Sequence, residues 1–221
     1  MIKAVMFDLD GTIADTNELI FESFRHTFRT HGIDHVADQE IYSFFGEPLH
    51  NTMLRYAPDQ ADEMTETYRA YNEVHHDEMI RHFPMVSETL TKLRDMGILL
   101  GIVTSKRGSV AQKSLDALNL SAYFKAIVTP EMTEHHKPEP DPVLCGASLL
   151  GVLPCEAIMV GDSPYDLLAG RAAGCLTCGV EYTRLELNVL HLTKPDYMIS
   201  EASQLIEIIR KLNQEQEAIT K

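Results

Sequence analysis

Two carboxylates two residues apart, Asp8 and Asp10, close the apolar run 4–8 near the start of this 221-residue chain. In an extended strand alternate side chains share a face, so both acids point the same way. Gly11 just beyond them permits a sharp turn or the close approach of a ligand. Such a pair can hold a hard cation through oxygen ligands. It can also supply a nucleophile beside an acid/base group. Taken alone, the pair is as consistent with two solvated acids at a surface strand end. The decision rests on whether other segments bring a cation site and a phosphate cradle to the same place.

Composition narrows the setting. The chain is long enough for one large domain or two modest ones. Its 44% hydrophobic and 24% charged residues are those of an ordinary water-soluble globular protein. No apolar run approaches the ~20 residues of a membrane span, and the N-terminus lacks a signal-peptide pattern, so a cytoplasmic location is expected. A net charge of −14 argues against nucleic acid or an anionic membrane as partner. A phosphorylated substrate would then need local positive charge, from bound Mg2+ and a few placed lysines. Cys175 and Cys178 have C-x-x-C spacing but fall in an apolar strand-like stretch, where positions three apart face opposite ways. Buried free thiols are expected there. Monomer and homodimer both remain open.

The elements that must position the acids alternate along the chain. Continuous apolar runs at 4–8, 98–103, 125–129, 157–161, 176–180 and 196–199 predict strands buried on both faces. Helix signals lie between them: Ser87 as a cap before Leu90 and Leu93, a periodic stretch over 109–119, and Asp141-Pro142 opening another. This alternation predicts an α/β fold, a doubly wound parallel sheet. Residues 15–83 interrupt it with no strand signal. Ile20, Phe24 and Phe28 follow an Asp15 cap, and a long helix over 59–82 carries Met64, Tyr68, Tyr71, His75 and Met79. The expectation is an all-helical insertion, residues 15–84, on a core of 1–14 and 85–221. His75 and His76 are expected on a solvated helix face, and the last ten residues are expected to fray.

Ligands of such sheets bind beyond the carboxyl ends of the strands. After 98–103 comes Thr104-Ser105-Lys106, where hydroxyls and backbone N–H groups entering a helix suit a phosphate. After 125–129 a loop holds Lys137 between prolines and a helix start. After 157–161 come Asp162 and Asp166, a second pair of acids. Each piece is common by itself, but four in order at four strand ends are not.

These residues resemble the four motifs of the haloacid dehalogenase superfamily: Asp8-x-Asp10-Gly11-Thr12, Thr104, Lys137, and Gly161-Asp162 with Asp166. The insertion resembles that family's small helical cap, so the likeness spans essentially the whole chain. It implies a nucleophilic Asp8 forming an aspartyl-phosphate. It implies that Asp10 protonates the leaving oxygen and then activates water, while its backbone carbonyl, with Asp8 and Asp162, holds Mg2+. Asp166 would stand behind these ligands. Thr104, Lys137 and the backbone N–H groups of Leu9 and Ser105 would bind phosphoryl oxygens. The dehalogenases of the superfamily need no metal and lack the second aspartate, so Asp10 implies phosphate chemistry.

Within the family, the residues after the first motif lack the His typical of sugar-phosphate mutases. Phosphoglycolate phosphatases fit the core motifs but often show Pro-Gly where this chain has Pro84-Met85. Asn17-Glu18-Leu19-Ile20, the run Tyr68 to Asn72 leading to His76-Asp77, and the segments ending at Thr104 and Asp162 resemble the bacterial inorganic pyrophosphatases of this superfamily. The expected reaction is Mg2+-dependent hydrolysis of a small phosphate, pyrophosphate first. Phosphoglycolate or another small phosphomonoester is the alternative, and a non-catalytic phosphate-binding protein the reading of a different class. Gly46, in the loop Phe45 to Leu49, matches the cap loop that reaches the active site, though a plain turn fits equally. Arg69 could anchor a second phosphate or lie on the helix surface.

Overall fold

The computed structural model describes residues 1–220. Among the described residues eight strands are seen: β1 (Ala4–Phe7), β2 (Ala14–Asp15), β3 (Arg81–His82), β4 (Leu99–Val103), β5 (Ala126–Val128), β6 (Ala157–Gly161), β7 (Leu176–Val180) and β8 (Tyr197–Ile199). Six of them form one sheet in the order β5-β4-β1-β6-β7-β8, and every pairing in it is parallel. The chain leaves β1 for β4 on one side and later returns to β6 on the other. The reversal opens a crevice beyond the carboxyl end of β1.

Alternate residues of β1, β4, β5 and β6 feed two cores, which is why these strands read as unbroken apolar runs. Val5 and Phe7 pack with Leu90, Leu115 and Ile209, whereas Ala4 and Met6 pack with Val143, Ala147 and Ala169. Cys175 and Cys178 fall in opposite cores and are free, as strand alternation requires.

Ten helices complete the described residues. Four belong to the insertion: α1 (Asn17–Thr30), α2 (Asp38–Tyr42), α3 (Leu49–Tyr56) and α4 (Ala61–Met79). The others are α5 (Val86–Asp95), α6 (Gly108–Ala117), α7 (Asp141–Leu150), α8 (Pro164–Ala173), α9 (Leu187–Leu192) and α10 (Gln204–Thr220). The first four carry a core of their own, built on Phe24, Phe28, Phe44, Met53 and Met64. Phe24 meets Tyr68 edge-on at 4.8 Å and Phe44 at 5.5 Å. Aromatic pairs of this kind add to area burial.

Four expectations are corrected. The stretch 15–83 does contain strand: β2 and β3 pair antiparallel, Ala14 with His82 and Asp15 with Arg81, and tie the helical layer to the core. This shortens the last insertion helix, which ends at Met79 instead of 82. The terminal stretch expected to fray is helical as far as Thr220, the end of α10, and Lys221 lies outside the described residues. The caps shift by a residue or two: Met85, at φ +62°, precedes α5, and Thr16 precedes α1 while Asp15 accepts from the Asn17 side chain at 2.9 Å.

Candidate active site

Asp8 lies immediately beyond β1, 7% exposed, with its N–H donating to the Val160 carbonyl at 2.9 Å. Lys137, on the loop between β5 and α7, is buried and donates to three acceptors. These are Asp8 Oδ1 at 2.7 Å, Asp166 Oδ1 at 2.6 Å and the Val103 carbonyl at 3.0 Å. Asp166 belongs to the first turn of α8, where its Oδ2 accepts from the Ser163 N–H at 3.1 Å and hydroxyl at 2.6 Å. This is a capping box with the acid drawn inward. Asp162, buried after β6, accepts from the Thr183 hydroxyl at 3.3 Å.

Three buried acids therefore face one ammonium. Asp8, Asp162 and Asp166 each bring an oxygen within 4.8 Å of the others. Burial pushes the Asp8 carboxyl up to about 7; Lys137 opposes the rise, and Asp166 and Asp10 reinforce it. Burial likewise holds Asp162 well above the ordinary carboxylate range, helped by Asp166 and Asp8. Burial disfavours the Lys137 charge, but Asp166 and Asp8 more than offset it and the ammonium is held on. A buried carboxylate cluster short of positive charge is the hard-oxygen donor set that a small divalent cation satisfies. These residues fit such an ion.

Asp10 is turned differently. Its Oδ1 accepts from the Thr16 hydroxyl at 2.7 Å and from Lys106 Nζ at 2.6 Å, so Oδ2 is left to the cavity. Gly11 explains how the chain passes so close to Asp162. Its φ is +79°, and a Cβ there would stand 2.2 Å from Asp162 Oδ2. Thr104 donates its N–H to Val128 at 3.0 Å, and its Oγ1 accepts from the Lys106 N–H at 3.1 Å. Thr104 and Ser105 line the cavity with the acids. The Leu9 side chain is wholly buried in the core, leaving its backbone beside Asp8.

The helical layer roofs this crevice and encloses a cavity of about 540 Å³. The structure brings Gly46 into it: φ is +83°, and a Cβ would lie 2.7 Å from Ser163 Cβ, so the loop rests against the start of α8. Arg69 also lines the cavity while pairing with Glu66 at 2.6 Å on the helix surface. His76 overturns its expectation. It is fully buried between α4 and α6, with Nε2 2.8 Å from the Ser114 hydroxyl and Nδ1 2.7 Å from Asp77. One turn of α4 rests on α6 here, a tertiary contact that helical periodicity does not reveal.

Two site residues escaped the sequence reading. Lys106 was visible only as part of a hydroxyl-rich loop, although period-two alternation from Thr104 was a usable signal. Asn17 lines the cavity, 3% exposed, with an Oδ1 that has no hydrogen-bond partner. Nothing in the sequence marked it beyond its likeness to the pyrophosphatase pattern.

Carboxylates and a lysine at the carboxyl edge of a doubly wound parallel sheet, under a helical roof, define the class: a doubly wound α/β protein with a helical cap over an acid–lysine site. A solved haloacid dehalogenase-like hydrolase from Streptococcus pneumoniae superposes with a TM-score of 0.85 at 26% identity, covering 94% of this chain and 98% of that one. The chain belongs to the haloacid dehalogenase-like hydrolase family, whose pattern matches residues 5–180, and it is an enzyme, a phosphatase of that family. It is 40% identical over 207 residues to a pyrophosphatase of Bacillus velezensis, covering 94% of this chain and 96% of that protein. It is 38% identical over 208 residues to a pyrophosphatase of Anoxybacillus flavithermus, covering 94% and 97%. Among the described residues, no helix is long and apolar enough to cross a membrane.

Proposed function

We propose that this protein is a Mg2+-dependent phosphohydrolase that works through an aspartyl-phosphate on Asp8 and takes inorganic pyrophosphate as its substrate. The observation that carries the mechanism is the buried Asp8, fixed through Oδ1 by Lys137 beside a cluster short of positive charge. Substrate choice rests on the two pyrophosphatase relatives, which match the roof as well as the core.

Asp8, Asp162 and the Asp10 carbonyl would hold Mg2+, which supplies positive charge to offset the repulsion between a carboxylate nucleophile and an anionic phosphate. Lys137 holds one Asp8 oxygen, so Oδ2 is the one free to attack phosphorus. Thr104 Oγ1, Lys137 and the N–H groups of Leu9 and Ser105 bind the phosphoryl oxygens as charge spreads over them. Asp10 Oδ2 gives its proton to the oxygen that leaves. It then takes a proton from the water that opens the aspartyl-phosphate, which releases phosphate and restores Asp8. Asp166 keeps Lys137 in place. Gly46 brings the roof loop against the site, and Arg69 stands at its rim. The protein acts without nucleic acid or membrane, in the cytoplasm, as a monomer or homodimer.

A second reading, a small phosphomonoester such as phosphoglycolate, is favoured by the cavity itself. Its wall includes Ile20, Phe24 and Phe45, which would suit an organic group. Phosphate release measured with Mg2+ on pyrophosphate, phosphoglycolate and sugar phosphates separates the two. Wild-type enzyme is expected to prefer pyrophosphate, and Asp8→Asn to lose turnover on every substrate. Full turnover by Asp8→Asn would remove the covalent mechanism.

A further inference from the structure

Of the three lysines that line the cavity, Lys106 and Lys137 pair with Asp10 and Asp8, and these two are held in opposite ways. Lys137 Nζ is buried and locked by three acceptors on separate segments. Lys106 Nζ has one acceptor, Asp10 Oδ1, at 2.6 Å. Its side chain is 11% exposed, and it lines the same cavity. A compact ammonium on a flexible four-carbon stem, with donors to spare, can be re-aimed without breaking the fold.

The direction of re-aiming follows from the chemistry. Asp10 is the group that serves the leaving oxygen, so a cation tethered to Asp10 stands on the leaving-group side of the transferred phosphoryl. When the leaving group is itself a phosphate, that side receives the electron pair of the broken P–O bond and carries further anionic oxygens. Among the described residues no other cation contacts Asp10, whose second donor is the neutral Thr16 hydroxyl.

Resting on the phosphohydrolase reading above, we propose that Lys106 is a swinging specificity residue. It pairs with Asp10 in the empty site and transfers to the second anionic group of a diphosphate-like substrate. In doing so it frees Asp10 Oδ1 while Thr16 keeps the carboxyl in place. Substrates with one phosphoryl group and a neutral leaving group cannot draw Lys106 off. The enzyme thereby favours two linked phosphoryl groups over one.

The test uses whole enzyme with Mg2+ and the non-hydrolysable methylene bisphosphonate, compared with orthophosphate. Both are measured by calorimetric binding and as inhibitors of p-nitrophenyl phosphate hydrolysis. Losing a charged hydrogen bond costs about 10- to 100-fold in affinity. Lys106→Gln is therefore expected to weaken bisphosphonate binding by about that factor and orthophosphate binding far less. Lys106→Arg, which keeps the charge, should recover most of the loss. Equal weakening of both ligands, or no weakening of either, would overturn the proposal; so would an Arg variant as poor as Gln. Circular dichroism melts check that each variant is folded. If wild-type enzyme fails to hydrolyse pyrophosphate, the substrate reading falls, yet the binding comparison still judges Lys106.

Discussion

Gly11→Ala tests how the first acidic motif is fitted to Asp162. Two costs apply at once. An L-residue at φ +79° sits in the left-handed region, which costs about 1–2 kcal/mol. The new Cβ would also lie 2.2 Å from Asp162 Oδ2 and 2.6 Å from its Cγ. Ordinary contact begins near 3.4 Å, so Asp162 or the Gly11 turn must shift by roughly 1 Å. Asp162 is 4% exposed and its one open side is the cavity, so any shift moves its carboxyl into the space where the ligand binds. A displacement of this size at a reacting centre costs about 100-fold in rate. The expected result is a fall of about that factor in kcat/KM, with a higher Mg2+ concentration needed for half-maximal activity. Gly32→Ala provides the control, because Gly32 has φ +70° but nothing within 4 Å of its would-be Cβ. Both variants should lower Tm by roughly 2–8 °C, as a 1–2 kcal/mol loss does in a chain of this size. Only Gly11→Ala should lose activity. Phosphate release across a Mg2+ titration, with a thermal melt of each variant, reads both effects. Activity within threefold of wild type, with an unchanged Mg2+ midpoint, would refute the claim that Gly11 is required by Asp162.

Two further expectations concern titration. Burial lowers the His76 pKa, Asp77 opposes this, and Lys106 and Lys113 add to it. A depressed folded value means that the unfolded chain binds the proton more readily, so this contribution is present above about pH 6.5 and is lost as pH falls through the folded value. Wild type should therefore lose stability to urea on acidification below that point more steeply than His76→Gln; parallel pH profiles would count against it. Asp8 has the opposite sign. Its folded pKa of about 7 exceeds the ordinary aspartate value of 3.8, so its contribution favours folding at low pH and is lost as pH rises through 7. Protons then compete with the cation. Added Mg2+ should raise Tm at pH 8 much more than at pH 5.5, by the mass action of a ligand for the native state. Asp162→Asn should abolish most of that rise, and an equal rise at both pH values would argue against a proton-linked site.

Much of the core was legible because its signals are local. The strands β1, β4, β5 and β6 are apolar runs whose alternate residues enter two different cores, so none of them shows a polar face. The elements that were missed lack such a signal. Arg81 and His82 are both exposed and polar, and they form strand only because Ala14 and Asp15 lie opposite them. His76 sits in a helix whose apolar stripe faces α1, and its burial depends on α6 arriving from another part of the chain. The helix α10 is amphipathic as a whole, but polar residues dominate its sequence beyond Leu212.

The sequence by itself determined the chemistry on offer: a pair of acids after the first strand, hydroxyls, a lysine and more acids after the later ones, and an inserted helical layer. Local pattern suffices there, because strand ends and helix starts are set by neighbours a few residues away. Only the tertiary structure decided who meets whom. Lys137 reaches Asp8 across 129 residues, and Lys106 reaches Asp10 across 96. Those pairings follow from strand order and from the seating of the roof, neither of which a local pattern encodes. Burial then decided the charge states, leaving three acids with one lysine and giving the first pair two different environments. Asp8 is locked by a lysine that two other acceptors also hold, whereas Asp10 is paired with a lysine that has no other acceptor among the described residues.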